Sequence, residues 1–568
     1  MTAVIEARGL AKAYGATRAL DGVSFSVEAG RIVGLIGPNG AGKTTALKAI
    51  LGLTPFRGEL QVLGLDPRTQ RDELMREVCF MADVAVLPRW LRVSQALEVV
   101  GGVHPRFDRA RATEFLSKTD IRMQSRVREL SKGMVTQLHL ALILAIDARL
   151  LVLDEPTLGL DLLYRRKFYD TLLNDYFDKE RTILLTTHQV EEVENLFTVV
   201  IFINHGRVAL SSSVEALGGR YQQLNVSAEA APTARALQPF YERRRQDAGD
   251  TKHMNSHLAD AAAGEGPREA APAARIGTAG TLLMLVRREL WEHRALWIAP
   301  LVVAALMVCG AVVAGLKYHL THGDMSGDDR PGGMAMFAVM QGAASTPLSV
   351  VSLIVVAFYL LDCLYAERKD RSILFWKSLP VSDDKTVLSK LLVALLVVPL
   401  GVFALGLLLS LLFTGIWEVN AAFGRVPPIP GWDMLGWLKA EIALLACLIV
   451  GVLWYAPYAA YLLLVSAWAR RTPFLWATLP PVIAQIVEHF TFDTHYVRDL
   501  LVYRTYGIWP TLFGHMQVGR GRAFALGAAL DRLNLGAALT DLNLWLGLAV
   551  AAAMVFGAIR LRRYRDDT

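Results

Sequence analysis

The sequence predicts two unlike halves: an α/β domain built on a parallel sheet, then an all-α membrane domain of about six transmembrane helices. Three observations carry this reading. Gly37-Pro38-Asn39-Gly40-Ala41-Gly42-Lys43-Thr44-Thr45 stands between an apolar run, Ile32–Ile36, and the helix-like Ala46-Leu47-Lys48-Ala49-Ile50. Leu150-Leu151-Val152-Leu153-Asp154-Glu155-Pro156 is a second apolar run, ending in two carboxylates. Beyond about Leu296, uncharged stretches such as Leu391 to Ile416 reach the length that crosses a bilayer. At 568 residues the chain exceeds what a single core supports, so two or more domains are expected.

Strand, glycine loop and helix in that order are the setting of a phosphate-binding P-loop. The glycines let backbone N–H groups turn toward phosphate oxygens at the positive end of a helix. In such a loop Lys43 reaches the outer phosphates and Thr44 ligates magnesium. The carboxylates of the second run stand at a strand tip, the edge of a parallel sheet where ligands sit. There Asp154 can hold the magnesium shell, and Glu155 can polarise an attacking water.

Between these motifs lies Leu130-Ser131-Lys132-Gly133-Met134-Val135-Thr136-Gln137. Here the chain resembles the ABC-transporter ATPases, whose signature reads Leu-Ser-Gly-Gly-Gln. Asp161, in Leu158-Gly159-Leu160-Asp161, matches the D-loop position. His188, after Thr182–Thr187, matches the switch histidine, and Tyr14 the aromatic that stacks on adenine. The resemblance covers about residues 1–220 and implies an ABC-type P-loop ATPase fold with a helical subdomain. It implies that Gly37 to Thr45, Tyr14 and Asp161 bind ATP, and that Ser131 and Gly133 donate to the γ-phosphate of ATP held by a second copy. A homodimer, or pairing with a related half-transporter, follows. Glu155 would be the general base, with His188 orienting the water; ATP and Mg2+ are the implied cofactors, and Thr44 and Asp154 the metal residues. Two departures stand out. Lys132 and Met134 replace the commoner Gly and Gln, and Asp83 occupies the place of the Q-loop glutamine, where it could touch magnesium or a water. Outside this series a histidine like His188 reads as structural and Tyr14 as a surface aromatic. His139 and His205 have no motif and read as structural or solvated.

Residues 1–224 are thus expected to form the ATPase domain and 225–280 a linker, too polar and too rich in Ala and Gly to order itself. Met254 in that linker is either an internal methionine or the trace of two fused genes. Residues 281–295 have helical periodicity and read as an interfacial helix, apolar side in lipid and arginines at headgroups. The membrane domain spans 296–568, with spans near 296–316, 345–365, 391–416, 442–467, 473–490 and 542–559. Basic clusters (Arg287, Arg288 and Arg294; Arg368 to Lys390; Arg470 and Arg471; Arg560 to Arg565) fall on one side under this count, the side of the ATPase. With no cleavable signal peptide ahead of the first domain, both termini are expected in the cytosol and the spans in the inner (plasma) membrane.

The segment Tyr365 to Ser382 resembles the first cytosolic loop of ABC-2-type permeases, which docks on the ATPase. Ile373, Leu374, Phe375 and Trp376 are too apolar for a free loop, so they enter a groove on the ATPase or dip into the membrane interface. Pro480-Pro481 is expected to break the fifth span, where Gln485 either borders a transport path or bonds a neighbouring helix. Pro399 and Pro457 are expected to kink theirs. The aromatic stretch 491–540 reads as a re-entrant or interfacial helix. Cys79, Cys309, Cys363 and Cys447 have neither metal-ligand nor disulfide spacing. A net charge of +6, its basic clusters beside spans, gives no sign of a nucleic-acid partner. The resemblance implies ATP-driven export of an unidentified substrate across the lipid bilayer by a dimeric half-transporter. The alternative is an ATPase-coupled membrane regulator without bulk transport.

Overall fold

Two sheets organise the first half of the chain in the computed structural model. The structure describes residues 3–82, 87–157, 162–178, 180–187, 196–220, 277–321, 333–423, 434–513 and 533–565. In β2 (Thr17–Glu28), Leu20, Val23, Phe25 and Val27 are buried between exposed neighbours, the alternation of a strand with one covered face. It pairs antiparallel with β1 (Ala3–Tyr14), which pairs with β4 (Arg57–Val62). The second sheet has the order β5-β6-β7-β3-β8-β9. Its strands β5 (Val78–Met81), β6 (Leu150–Asp154), β7 (Thr182–Thr187) and β3 (Ile32–Ile36) are parallel and buried along their whole length. That is why β3, β5 and β6 read as continuous apolar runs: helices cover both faces. β8 (Val199–Asn204) continues the parallel set, and β9 (Arg207–Ser213) turns back to close the edge.

The helices of this half are α1 (Lys43–Ile50), α2 (Arg71–Leu74), α3 (Val93–Val103), α4 (Arg109–Ser117), α5 (Lys132–Leu144), α6 (Leu162–Thr171) and α7 (Val214–Arg220). Asp108 and Ser131 cap α4 and α5, each side-chain oxygen accepting from backbone N–H groups of the first turn.

The second half is helical: α8 (Thr278–Glu292), α9 (Ala295–Thr321), α10 (Gly333–Asp362), α11 (Tyr365–Lys369), α12 (Ile373–Lys377), α13 (Asp383–Leu392), α14 (Val398–Ala422), α15 (Met434–Trp468), α16 (Pro473–Phe492), α17 (Tyr496–Tyr506), α18 (Ile508–Phe513), α19 (Leu535–Thr540) and α20 (Leu542–Tyr564). Among the described residues, 5 helical stretches are long and apolar enough to cross a membrane: Ala295–Val313, Gln341–Lys369, Asp383–Ala422, Met434–Trp468 and Leu542–Tyr564. The expected fifth span forms as α16 but is not among these, because Gln485, Glu488 and His489 lower its hydropathy. A π turn at Val393–Val397 joins α13 to α14 just ahead of Pro399.

Pro480 and Pro481 do not break α16, which runs through both. A proline frees the carbonyl four residues earlier. Here those carbonyls belong to Trp476 and Ala477, and the Tyr461 hydroxyl on α15 donates to Ala477 O at 3.0 Å, with Trp476 O at 3.5 Å. The neighbouring span supplies the missing donor. Tyr461→Phe is expected to cost about 1–2 kcal/mol, the penalty for an orphaned buried carbonyl. Thermal unfolding in detergent, compared with a Phe substitution at the exposed Tyr496, checks it.

The aromatic stretch after α16 forms α17 and α18, which lie on α15. Trp454 Nε1 donates to Arg504 O at 2.7 Å, and Tyr455 OH to Thr505 O at 2.8 Å. Residues 514–532, and the linker from 221 to 276 with Met254, lie outside the described residues. The cysteines are all free.

Candidate nucleotide site and its junction with the membrane helices

The sheet order sets the site. β7 lies between β3 and β6, so the loop after β3 and the carboxylates ending β6 emerge side by side at the carboxyl edge. Gly40 and Gly42 have φ of 79° and 106°, left-handed values that a side chain resists. A Cβ on Gly37 would lie 2.2 Å from Ile203 O, and one on Gly42 would lie 2.3 Å from Ala19 O. The loop therefore has its shape because those positions lack side chains. Lys43 is buried and folds over the loop, its Nζ donating to Gly37 O at 2.7 Å and Pro38 O at 3.2 Å. Pro38, Asn39, Gly40 and Thr44 are exposed, Ala41 is buried, and Thr45 is half-buried at the start of α1. The Lys43 ammonium thus lies against the inside of the glycine loop.

Asp154 is buried at the tip of β6 and accepts from the Thr186 hydroxyl at 2.6 Å. Glu155 follows with φ 47°, a left-handed conformation rare for a residue with a side chain. Its backbone N–H is held by Thr186, at 3.2 Å from the carbonyl and 3.1 Å from Oγ1. One threonine on β7 thus holds the Asp154 carboxylate and the Glu155 backbone, and local strain of this kind gathers at functional sites. Sequence reading missed Thr186 because a threonine in a buried strand resembles any β-branched filler. Asp154 offers a buried carboxylate and Thr44 an exposed hydroxyl, oxygen groups of the kind a hard dication takes.

Tyr14 ends β1 half-buried, with Lys12 Nζ 4.7 Å from its ring centroid. Ser131 is exposed at the cap of α5, accepting from Met134 N at 3.2 Å; Gly133 is half-buried in the first turn. α5 packs on α3, α4 and β5. Asp83, Asp161 and His188 lie outside the described residues.

The segment after α11 enters the ATPase. Phe375, Trp376, Leu379 and Val381 are buried in the same core cluster as β3 and α3, and Ile373 is buried beside them in sequence. Phe375 meets the His139 ring edge-on at 6.0 Å, and Arg71 Nη1 donates to Lys377 O at 2.7 Å, ending α12. His139 is therefore structural, and its place is under the docked helix. Burial pushes its imidazole down to about 4. An unfolded chain takes up that proton near pH 6.5, whereas the folded one stays neutral, so stability is full above 6.5 and falls as pH drops toward 4. About 3 kcal/mol is at stake over that window. In thermal melts, His139→Leu is expected to flatten the acid slope between those limits relative to the wild type.

α8, expected at the membrane interface, packs on the α/β half. Met284 and Leu285 join the ATPase core, and Met284 lies so close to α3 that a Cβ on Gly102 would fall 2.7 Å from its Cγ. Arg287 pairs with Glu98 on α3, and Arg288 is buried. Periodicity gave α8 an amphipathic face but could not say that protein, not lipid, covers it. Arg288 bonds Glu289 and reaches Glu367 at 2.7 Å. Lys390 Nζ is 2.9 Å from Glu289 and 3.0 Å from Glu367. Arg562 bridges Glu367 (2.5 Å) to Asp383 (3.1 Å), and Asp383 meets Arg71 of α2 at 2.9 Å. Burial opposes ionisation of Glu289, but Lys390 and Arg288 outweigh it and hold the carboxyl below its ordinary value. The ionic chain thus runs unbroken from α2 through α13 and α20 to α11 and α8. Sequence reading scattered these residues among topology signals; only the fold brings them together.

A profile of the ABC transporter family matches residues 20–158. The Nod factor export ATP-binding protein I of Rhizobium sp. (strain N33) is 35% identical over 225 residues, covering 38% of this chain and 72% of that protein. The daunorubicin/doxorubicin resistance ATP-binding protein DrrA of Streptomyces peucetius is 33% identical over 213 residues, 36% of this chain and 64% of its own length. A solved ATP-binding subunit of an ABC transporter aligns at a TM-score of 0.37 and 25% identity, over 41% of this chain and 98% of that one. The family profile and these relatives give the α/β half the ABC ATPase fold, and the apolar helices that follow fit a fused permease. With more than two thirds of a relative spanned at 35% identity, the chain belongs to the ABC transporter family.

Proposed function

We propose that this chain is an ABC half-transporter that hydrolyses ATP to export a substrate, two copies clamping two nucleotides between them. Lys43 and the loop from Gly37 to Thr45 hold the phosphates, Tyr14 stacks on adenine, and Ser131 and Gly133 complete the site of the facing copy together with Asp161. Magnesium, where bound, would be held by Thr44 and Asp154, with Asp83 nearby, and would neutralise phosphate charge. Glu155 takes the proton of the attacking water, and His188 orients that water against the γ-phosphate. The ATPase domain and both termini lie in the cytosol.

The observation that carries coupling is the burial of α12 in the ATPase core, with the ionic chain beside it. Movement of α5, which carries Ser131 at its start and His139 under Phe375, is felt directly by that helix. The exporter character of the relatives supports the direction. The test is ATP-dependent movement of candidate amphiphiles across vesicles holding the full chain, with Glu155→Gln as the control. Movement in the wild type alone supports export. Intact ATP hydrolysis with no translocation across the panel would instead favour a regulator.

A further inference from the structure

Within the spans, three helices meet at a carboxyl group that the ATPase cycle does not use. Glu441 on α15 is 3% exposed, and Gln341 on α10 is 4% exposed. Gln341 Nε2 donates to Glu441 Oε1 at 2.8 Å, and the Ser410 hydroxyl of α14 lies 3.1 Å from the same oxygen. Trp437 Nε1 in turn donates to Ser410 Oγ at 3.1 Å. Among the described residues two buried acceptors remain without a partner: Glu441 Oε2 and Gln341 Oε1, the other oxygen of the same carboxyl and the carbonyl of the same amide.

Among the described residues no cation pairs with Glu441. α10 presents Gln341 and Ser345 here, and α14 presents Ser410 and Thr414, with Glu418 a turn further on. On α15 itself the nearest charge, Lys439, is exposed. An ionised carboxylate with a bare oxygen at this depth is the costliest arrangement available to it, and such a group neutralises instead. Turning the amide over gives no escape, since it would set two oxygens face to face, which again requires a proton between them.

We propose that Glu441 and Gln341 form a proton-binding site. One proton per chain resides on Glu441 Oε2 and is donated to Gln341 Oε1, completing a cyclic acid–amide pair. The site clasps α10, α14 and α15. Admitting water to this seam ionises the acid, Glu441–COOH giving its proton to water as hydronium, and loosens the clasp.

The test is the infrared difference spectrum of the full chain in lipid nanodiscs at pH 7, wild type minus Glu441→Gln. The variant is isosteric with the protonated acid and keeps both hydrogen bonds, so the fold is expected to persist. Loss of a protonated-acid carbonyl band in the variant supports the site, as does its upward shift in Gln341→Leu, where the acceptor is gone. Loss of a carboxylate band pair instead overturns it. A carboxylate signature that appears only when sodium replaces choline also overturns it and assigns the site to a metal cation. If Glu441→Gln fails to fold, the band shift in Gln341→Leu decides alone: an unshifted spectrum overturns the proposal.

Discussion

Glu155→Gln is expected to bind ATP as the wild type does and to lose about 10²- to 10⁴-fold in hydrolysis, the contribution of a positioned general base. The geometry explains why binding should survive. The loop from Gly37 to Thr45 follows β3, on the other side of β7 from the strand that Glu155 follows. The left-handed turn at Glu155 is fixed through its backbone by Thr186, so an isosteric side chain leaves it undisturbed. Equilibrium binding of a fluorescent ATP analogue together with phosphate release checks both halves. Wild-type turnover would show that another group takes the proton.

The second large effect lies at the junction. Glu367 is fully buried and touches Arg288, Lys390 and Arg562. Glu367→Ala leaves those cations buried together without their shared anion, which is expected to cost about 3–5 kcal/mol. The pair between Arg287 and Glu98 makes the contrast. Its arginine is 56% exposed, and Arg287→Ala is expected to cost about 1 kcal/mol or less. Thermal unfolding of both variants in detergent reads the difference. Equal losses would mean that the buried chain contributes no more than a surface contact.

The two halves were legible in the sequence to different depths, for physical reasons. β3 and β6 read as strands because a parallel sheet covered on both faces leaves unbroken apolar runs. The glycines at 40 and 42 are explained by the left-handed turns they take. The docking of α12 was legible too, since Phe375 and Trp376 need cover. Position was harder to read than identity. Arg288, Glu367, Lys390 and Arg562 are far apart in sequence, and the three basic ones each resemble a topology signal; their pairing exists only once α8, α11, α13 and α20 have packed. The same limit applies to Pro480 and Pro481, since the hydroxyl that keeps α16 continuous comes from Tyr461 on another helix.

The central claim is that ATP draws two copies together, P-loop against signature helix. Disulfide formation between Asn39→Cys and Ser131→Cys tests it most directly, in full-length Glu155→Gln chain with Cys309→Ala, held in lipid bilayers. Both positions are exposed in the single chain and therefore free to meet a partner. The account predicts an inter-chain disulfide, seen as a doubled mass, that forms with ATP and magnesium and fades without nucleotide. A yield indifferent to ATP, or no inter-chain product at all, would contradict it.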